Sequence, residues 1–344
     1  MVNVGIFRVM KSCSAVVSFL MFLGCAGCNP GDNSESLDRS ASEVKYAVHH
    51  GWPSLPDGHI LGFVTAVEVD SHGHIFTFHG FRKWVIPFAE EPEPDPSILM
   101  WNGEDGTLIA SWGADTFRMP HGLSIDVDDN VWVTDVARNQ VLKFSHDGEL
   151  LMALGENGVE GWDDTHFAKP TDIEFGPDGS VYVSDGYENC RIVNFTPDGL
   201  YQFEWGECGD DVSQFNIPHD LAIDRKGRVY VADRENDRIQ VFEPDGDFIM
   251  EWRSGGKWRP SGLSISPVKE EIFMVDGGEQ PAGFPYRSSV FVLDLSGHQV
   301  TEFGRYGNQD GQFMAGHDIT VSPDGFVYVV DIVGRRLQRF SQSN

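Results

Sequence analysis

An all-β fold, a six-bladed β-propeller of four-stranded blades, is predicted by three observations. A phrase recurs about every 50 residues, and one column of it reads Thr65, His121, Thr171, His219, Ser261, His317. The residues around that column alternate apolar and polar, as in FVTAVEVD, MPHGLSID, KPTDIEF, IPHDLAID, RPSGLSI and MAGHDITV. Each copy then repeats the same strand–turn grammar.

In every copy a turn such as SPDG, GPDG or DRKG leads to a second strand. Five of these strands end in Asp: VWVTD, VYVSD, VYVAD, IFMVD and VYVVD. A third strand follows (NQVLKF, CRIVNF, DRIQVF, SSVFVL, RRLQRF), then HDG, PDG or LSG, then a fourth such as LYQFEW or FIMEW. Short alternating strands joined by Gly/Asp turns are hairpins, and four strands repeated six times make a propeller. The first copy is the least regular. The segment near Tyr46–His49, or the C-terminal end, is expected to supply its last strand and close the ring.

The chain has 344 residues with 40% hydrophobic content, ample core for one large domain, and no helical periodicity in the mature region. Asp and Glu outnumber Lys and Arg by 53 to 25, a formal charge of −28. Such a surface repels nucleic acid and anionic membranes. A monomer is expected.

The N-terminus reads as a targeting segment. Lys11 precedes the apolar run Ala15–Leu23 and then GCAGC, a lipoprotein-type signal over residues 1–27 with cleavage before Cys25 or Cys28. Residues 28–43 are polar and serine-bearing, suited to a flexible linker, and residues 44–342 form the propeller. The domain is therefore expected outside the cytoplasm, held to a membrane only through an N-terminal lipid. In an oxidising compartment Cys190 and Cys208, which flank a hairpin turning at PDG, are placed to form a cross-strand disulfide.

The first strand of each blade lines a propeller's channel. His121, His219 and His317 lie 98 residues apart, in alternate blades, so their imidazoles converge on the axis from three sides. Three neutral imidazoles with an open fourth position suit a catalytic zinc ion, although other divalent metals also take imidazole. His72, His74, His146 and His298 fall in turns and read as surface.

The phrases MPHGLSIDVDDNVWVTDVARNQVLKF, KPTDIEFGPDGSVYVSDGYENCRIVNF and IPHDLAIDRKGRVYVADRENDRIQVF resemble the peptidyl-α-hydroxyglycine α-amidating lyases, over roughly residues 52–340. The resemblance implies an NHL-type six-bladed propeller with zinc on His121, His219 and His317. It also implies calcium on the carbonyls of Val67 and Leu123 and the carboxylate of Asp318. Tyr187 falls on the catalytic tyrosine, Arg234 on an arginine that handles the substrate carboxylate, and Met314 on a methionine beside the third zinc ligand. A further catalytic arginine of the family falls on Gly80, and Arg82 is the residue placed to replace it, Lys83 being a poorer substitute. Ala168 and Glu188 stand where the family has a disulfide. The activity implied is cleavage of the C–N bond of a peptidyl or N-acyl α-hydroxyglycine, giving an amide and glyoxylate. Two other readings fit a propeller: a non-enzymatic NHL-type binding scaffold, and a metal-dependent lactonase-like hydrolase.

Overall fold

Period-2 alternation places one row of each strand against the neighbouring blade, and Gly/Asp turns bring the chain back after about five residues. The result is six antiparallel four-stranded sheets in chain order, seen in a computed structural model that describes residues 44–58, 60–80, 91–278 and 287–343. Blade 1 comprises Phe63–Val69, His74–Gly80, Ile98–Asn102 and Leu108–Trp112. Blades 2 to 5 begin at Pro120–Ile125, Pro170–Phe175, Pro218–Ile223 and Pro260–Ile265. Blade 6 holds Gly316–Val321, Val327–Asp331 and Arg336–Ser343.

The ring closes differently from expectation. Blade 1 supplies all four of its own strands. The N-terminal strand Lys45–Val48 instead joins blade 6, pairing antiparallel with Arg336–Ser343 (Tyr46 opposite Gln342, Val48 opposite Phe340). Tyr46 stacks on Phe303 with ring centroids 4.4 Å apart and meets Phe273 edge-on, so the closing strand is fastened by apolar packing onto blade 5. The signal and linker segments, together with Cys25, Cys28, Arg82 and Lys83, lie outside the described residues. No helix among those described is long and apolar enough to cross a membrane.

Apolar rows meet between blades. Phe76, Phe78 and Phe117 pack against Val131, Val133 and Leu142, for example, joining blade 1 to blade 2. The aspartate that ends the second strand of blades 2 to 6 is wholly buried in each case. Its carboxylate captures backbone N–H groups of the chain entering the blade: Asp135 accepts from Arg118 and Met119, Asp233 from Asn216, and Asp331 from Met314 and Ala315. These bonds satisfy amides that no sheet ladder reaches.

Cys190 and Cys208 form a disulfide with Cα atoms 5.0 Å apart, beside the third strand of blade 3. This bond supports an oxidising, extracellular-type location. Opening an 18-residue closure should cost about 3 kcal/mol. Paired Cys190→Ser/Cys208→Ser substitution, followed by urea unfolding, is expected to lower the midpoint. An unchanged midpoint would show that the crosslink does not constrain the unfolded chain.

Candidate metal and catalytic centre

Every first strand is irregular at the same place. The register slips between Val64 and Ala66, Pro120 and Leu123, Pro170 and Asp172, Pro218 and Asp220, Pro260 and Gly262, and Gly316 and Asp318. The slipped residue is the column residue: Thr65, His121, Thr171, His219, Ser261 or His317. A bulge re-aims a side chain that regular pleating would bury in the sheet. Proline before it in four blades fits a strand's first residue, where no ladder donor is needed.

The three imidazoles converge as expected. Ring centroids are 4.8 Å apart for His121–His219 and 4.9 Å for each pair with His317, and the candidate ligand atoms all lie within 4.8 Å of one another. All three are buried. Each Nδ1 donates to the carbonyl of the column residue one blade on: His121 to Thr171 at 2.7 Å, His219 to Ser261 at 2.7 Å, and His317 to Thr65 at 2.6 Å. A carbonyl can only accept, so Nδ1 carries the proton and Nε2 keeps its lone pair. Burial pushes all three below the ordinary histidine value, His317 to about 4, and the positive charge of Arg234 contributes. Neutral imidazoles of fixed tautomer are the form a soft or borderline divalent metal requires.

Tyr187 joins them. Its hydroxyl lies 2.9 Å from Nε2 of His121 and 3.3 Å from Nε2 of His219. Arg234 begins the short 3₁₀ turn Arg234–Asn236 after the second strand of blade 4, and its guanidinium carbon sits 5.5 Å from the Tyr187 ring centroid. Its Nε donates to Glu235, which also accepts from Arg259. Met314 lies partly buried three residues before His317, its main chain tied to Asp331. Gly80 has a structural reason: a Cβ there would stand 2.8 Å from the Pro120 ring, so no arginine fits at that position unless Pro120 moves.

Behind the imidazoles the channel is lined with acid. Asp172, Asp220 and Asp318 follow the column residue in blades 3, 4 and 6, and each accepts the amide two places past the column in the next blade. Those bonds run from Leu221 at 3.1 Å, Leu263 at 2.9 Å and Val67 at 2.8 Å. Gly122 and Gly262 hold the same position beside Asp172 and Asp318. An added Cβ on them would meet those neighbours at 2.7 Å. Glu68 and Glu174 lie further along, at the wall of a cavity of about 270 Å³. Enclosure, with mutual repulsion, pushes all but Glu68 well up, and enclosure alone pushes Glu68 up to about 7.

Two of the residues expected to hold calcium meet here, through an amide rather than a carbonyl. Val67 meets Asp318 through its amide, and Leu123 stands in the same tier of blade 2, paired with Val133. The other four carboxylates were not foreseen. Their signal was present as Asp directly after the column residue and Glu three places after it. A hard cation with oxygen ligands suits this set, because it neutralises carboxylates that otherwise repel one another.

The NHL repeat model matches residues 117–144 and 215–242. A probable peptidyl-alpha-hydroxyglycine alpha-amidating lyase of Caenorhabditis elegans is 34% identical over 298 residues, covering 80% of this chain and 82% of that protein. The chain belongs to the peptidyl-α-hydroxyglycine α-amidating lyase family. Peptidyl-alpha-hydroxyglycine alpha-amidating lyase 1 of Drosophila melanogaster is 31% identical over 86% of this chain and 59% of its own length. Peptidylglycine alpha-amidating monooxygenase of Rattus norvegicus is 35% identical over 84% of this chain, which spans only 31% of the rat protein. Among solved structures, virginiamycin B lyase from Staphylococcus aureus superposes with a TM-score of 0.54 at 18% identity, covering 87% of this chain and 88% of that one. That likeness reports the fold alone. The family supports a lyase role for this protein.

The acidic channel predicts a pH signature. Glu68 and Asp172 hold protons in the folded protein up to about pH 7, whereas unfolded carboxylates release theirs near pH 4. The folded state therefore binds more protons across that window, and stability falls as pH rises through it. In chelator, the melting temperature should drop between pH 5 and pH 7.5, and millimolar calcium should remove the drop. A chelated protein that melts at one temperature across the window would contradict the carboxylate arrangement.

Proposed function

We propose that this protein is a zinc-dependent carbon–nitrogen lyase that splits peptidyl or N-acyl α-hydroxyglycine into an amide and glyoxylate. The observation that carries the reading is the convergence of three neutral imidazoles and one phenol hydroxyl, with Arg234 alongside. His121, His219 and His317 would hold zinc through Nε2, and Asp318 with the carbonyls of Val67 and Leu123 would hold calcium. Zinc, when bound, supplies Lewis acidity toward the substrate oxygen and lowers the pKa of acids beside it.

The chain's own residues do the rest. The substrate carries a carboxylate, a carbinol hydroxyl and an amide nitrogen on one carbon. Arg234 grips the carboxylate through its planar fork, with Glu235 and Arg259 holding it in place. Tyr187, as phenolate, takes the hydroxyl proton. The C–N bond breaks, the carbinol carbon becomes the aldehyde of glyoxylate, and the nitrogen receives a proton as the amide leaves. One proton leaves oxygen and one reaches nitrogen, so Tyr187 ends the cycle in the state in which it began. Arg82 is the second arginine in this reading, compensating for Gly80. The enzyme acts as a monomer outside the cytoplasm, tethered by a lipid at Cys25 or Cys28.

Purified protein incubated with α-hydroxyhippurate should release glyoxylate. Tyr187→Phe should reduce turnover roughly 10²–10⁴-fold, with fold and zinc content intact. A rate equal to wild type would remove Tyr187 from the chemistry. Arg82→Ala should lower turnover sharply and Arg82→Lys should recover part of it, because an ammonium cannot form the forked contact. If Arg82→Ala matches wild type while glyoxylate is still released, no second arginine is needed.

A further inference from the structure

His72, His74 and His146 read as surface turn residues in the sequence, but in the structure His74 opens a strand and the three imidazoles meet around one buried carboxylate. We infer that Asp70, His72, His74 and His146 form a second site for a divalent transition metal such as zinc or copper. It lies at the opposite end of the first strands from the imidazole column and joins blade 1 to blade 2. His72 sits in the turn that follows Phe63–Val69, His74 opens the next strand, His74–Gly80, and His146 lies in the turn after Gln140–Phe144.

The ligand atoms are gathered and oriented. Asp70 is fully enclosed, while His72, His74 and His146 keep 63%, 30% and 29% side-chain exposure, so an ion can reach them. Asp70 Oδ1 is occupied by the amides of His72 and His74 at 2.9 and 2.7 Å. Its Oδ2 is left facing the rings, 2.8 Å from His74 Nδ1, 2.9 Å from His146 Nε2 and 3.9 Å from His72 Nδ1. All four ligand atoms fall within 4.8 Å of one another. Ligands held about 2.0–2.1 Å from a tetrahedral zinc lie roughly 3.3 Å apart, so small ring rotations complete the set. The metal would take the place of the protons that now link carboxylate and imidazoles. The edge of Phe76 supports the His146 ring at 5.4 Å between centroids, and Asp129 of blade 2 stands 3.4 Å from His72 Nδ1.

The turn itself does not need imidazoles. Its counterpart in blade 2, Asp126, is satisfied by Asn130, Trp132 and Lys143, and in blade 4 Asp224 is satisfied by Arg228 and Tyr230. Only around Asp70, among the described residues, are the corresponding partners metal-binding side chains. Three imidazole nitrogens and one carboxylate oxygen suit zinc, nickel or copper rather than calcium or magnesium.

The test is a cobalt(II) titration of metal-stripped protein in calcium-containing buffer, read by visible absorption and by bound metal. Wild type should take up two equivalents with imidazole-type spectra. His146→Gln, whose side chain is partly exposed and safe for folding, should take up one and release glyoxylate at an unchanged rate. His219→Ala should keep the equivalent that His146→Gln loses, which separates this site from the channel centre. The second equivalent should also raise the melting temperature of wild type but not of His146→Gln, because it ties two blades. Equal cobalt uptake with equal midpoints in wild type and His146→Gln overturns the inference. So does a His219→Ala protein whose remaining cobalt is unaffected by adding His146→Gln.

Discussion

The hydrogen bond from an imidazole Nδ1 to the next blade's carbonyl is the contact on which the centre depends. It occurs three times, at 2.6–2.7 Å, and each time it crosses a blade boundary. It fixes the tautomer, aims Nε2 at the axis and binds two sheets together. It also explains the alternation in the sequence. A blade that contributes an imidazole needs a neighbour that contributes a carbonyl from the same bulge, and that neighbour's own side chain must stay small. Threonine or serine fills that role: Thr65, Thr171 and Ser261. The hydroxyl of Thr171 is occupied by Ser184 and by the Pro218 carbonyl, so it stays out of the lumen. Six imidazoles would crowd the axis.

Below that tier the same logic continues with acid. Aspartate one place past the bulge reaches the amide two places past the bulge in the following blade, three times around the ring. Glycine takes that place in blades 2 and 5, where the neighbouring aspartate comes too close for a Cβ. The channel therefore stacks a nitrogen-donor tier on an oxygen-donor tier. The two tiers offer donors of different softness, and the enclosed carboxylates are costly unless a cation or protons balance them.

Much of this was legible because the repeat makes each blade a control for the others. The column of Thr65, His121, Thr171, His219, Ser261 and His317 predicted both the propeller and the convergence. Cys190 and Cys208 were placed by counting out from one turn. Three features were hidden. Strand exchange at Lys45–Val48 depends on which sheet edge is open, a tertiary fact that no local pattern carries. Glu68, Asp172, Glu174 and Asp220 carry no sign of enclosure in the sequence, because inward and outward positions invert across a bulge. His72, His74 and His146 lie in or at the edge of turns of two blades, and a histidine there gives no sign of its neighbour across the blade boundary.

Zinc-edge X-ray absorption on the His146→Gln variant, which lacks one ligand of the second cluster, holding a single equivalent of zinc tests the central claim most directly. The account predicts a first shell with three imidazole nitrogens at about 2.0–2.1 Å, with one imidazole lost when His219→Ala is added to that variant. A first shell dominated by oxygen, or one that His219→Ala leaves unchanged, would contradict it.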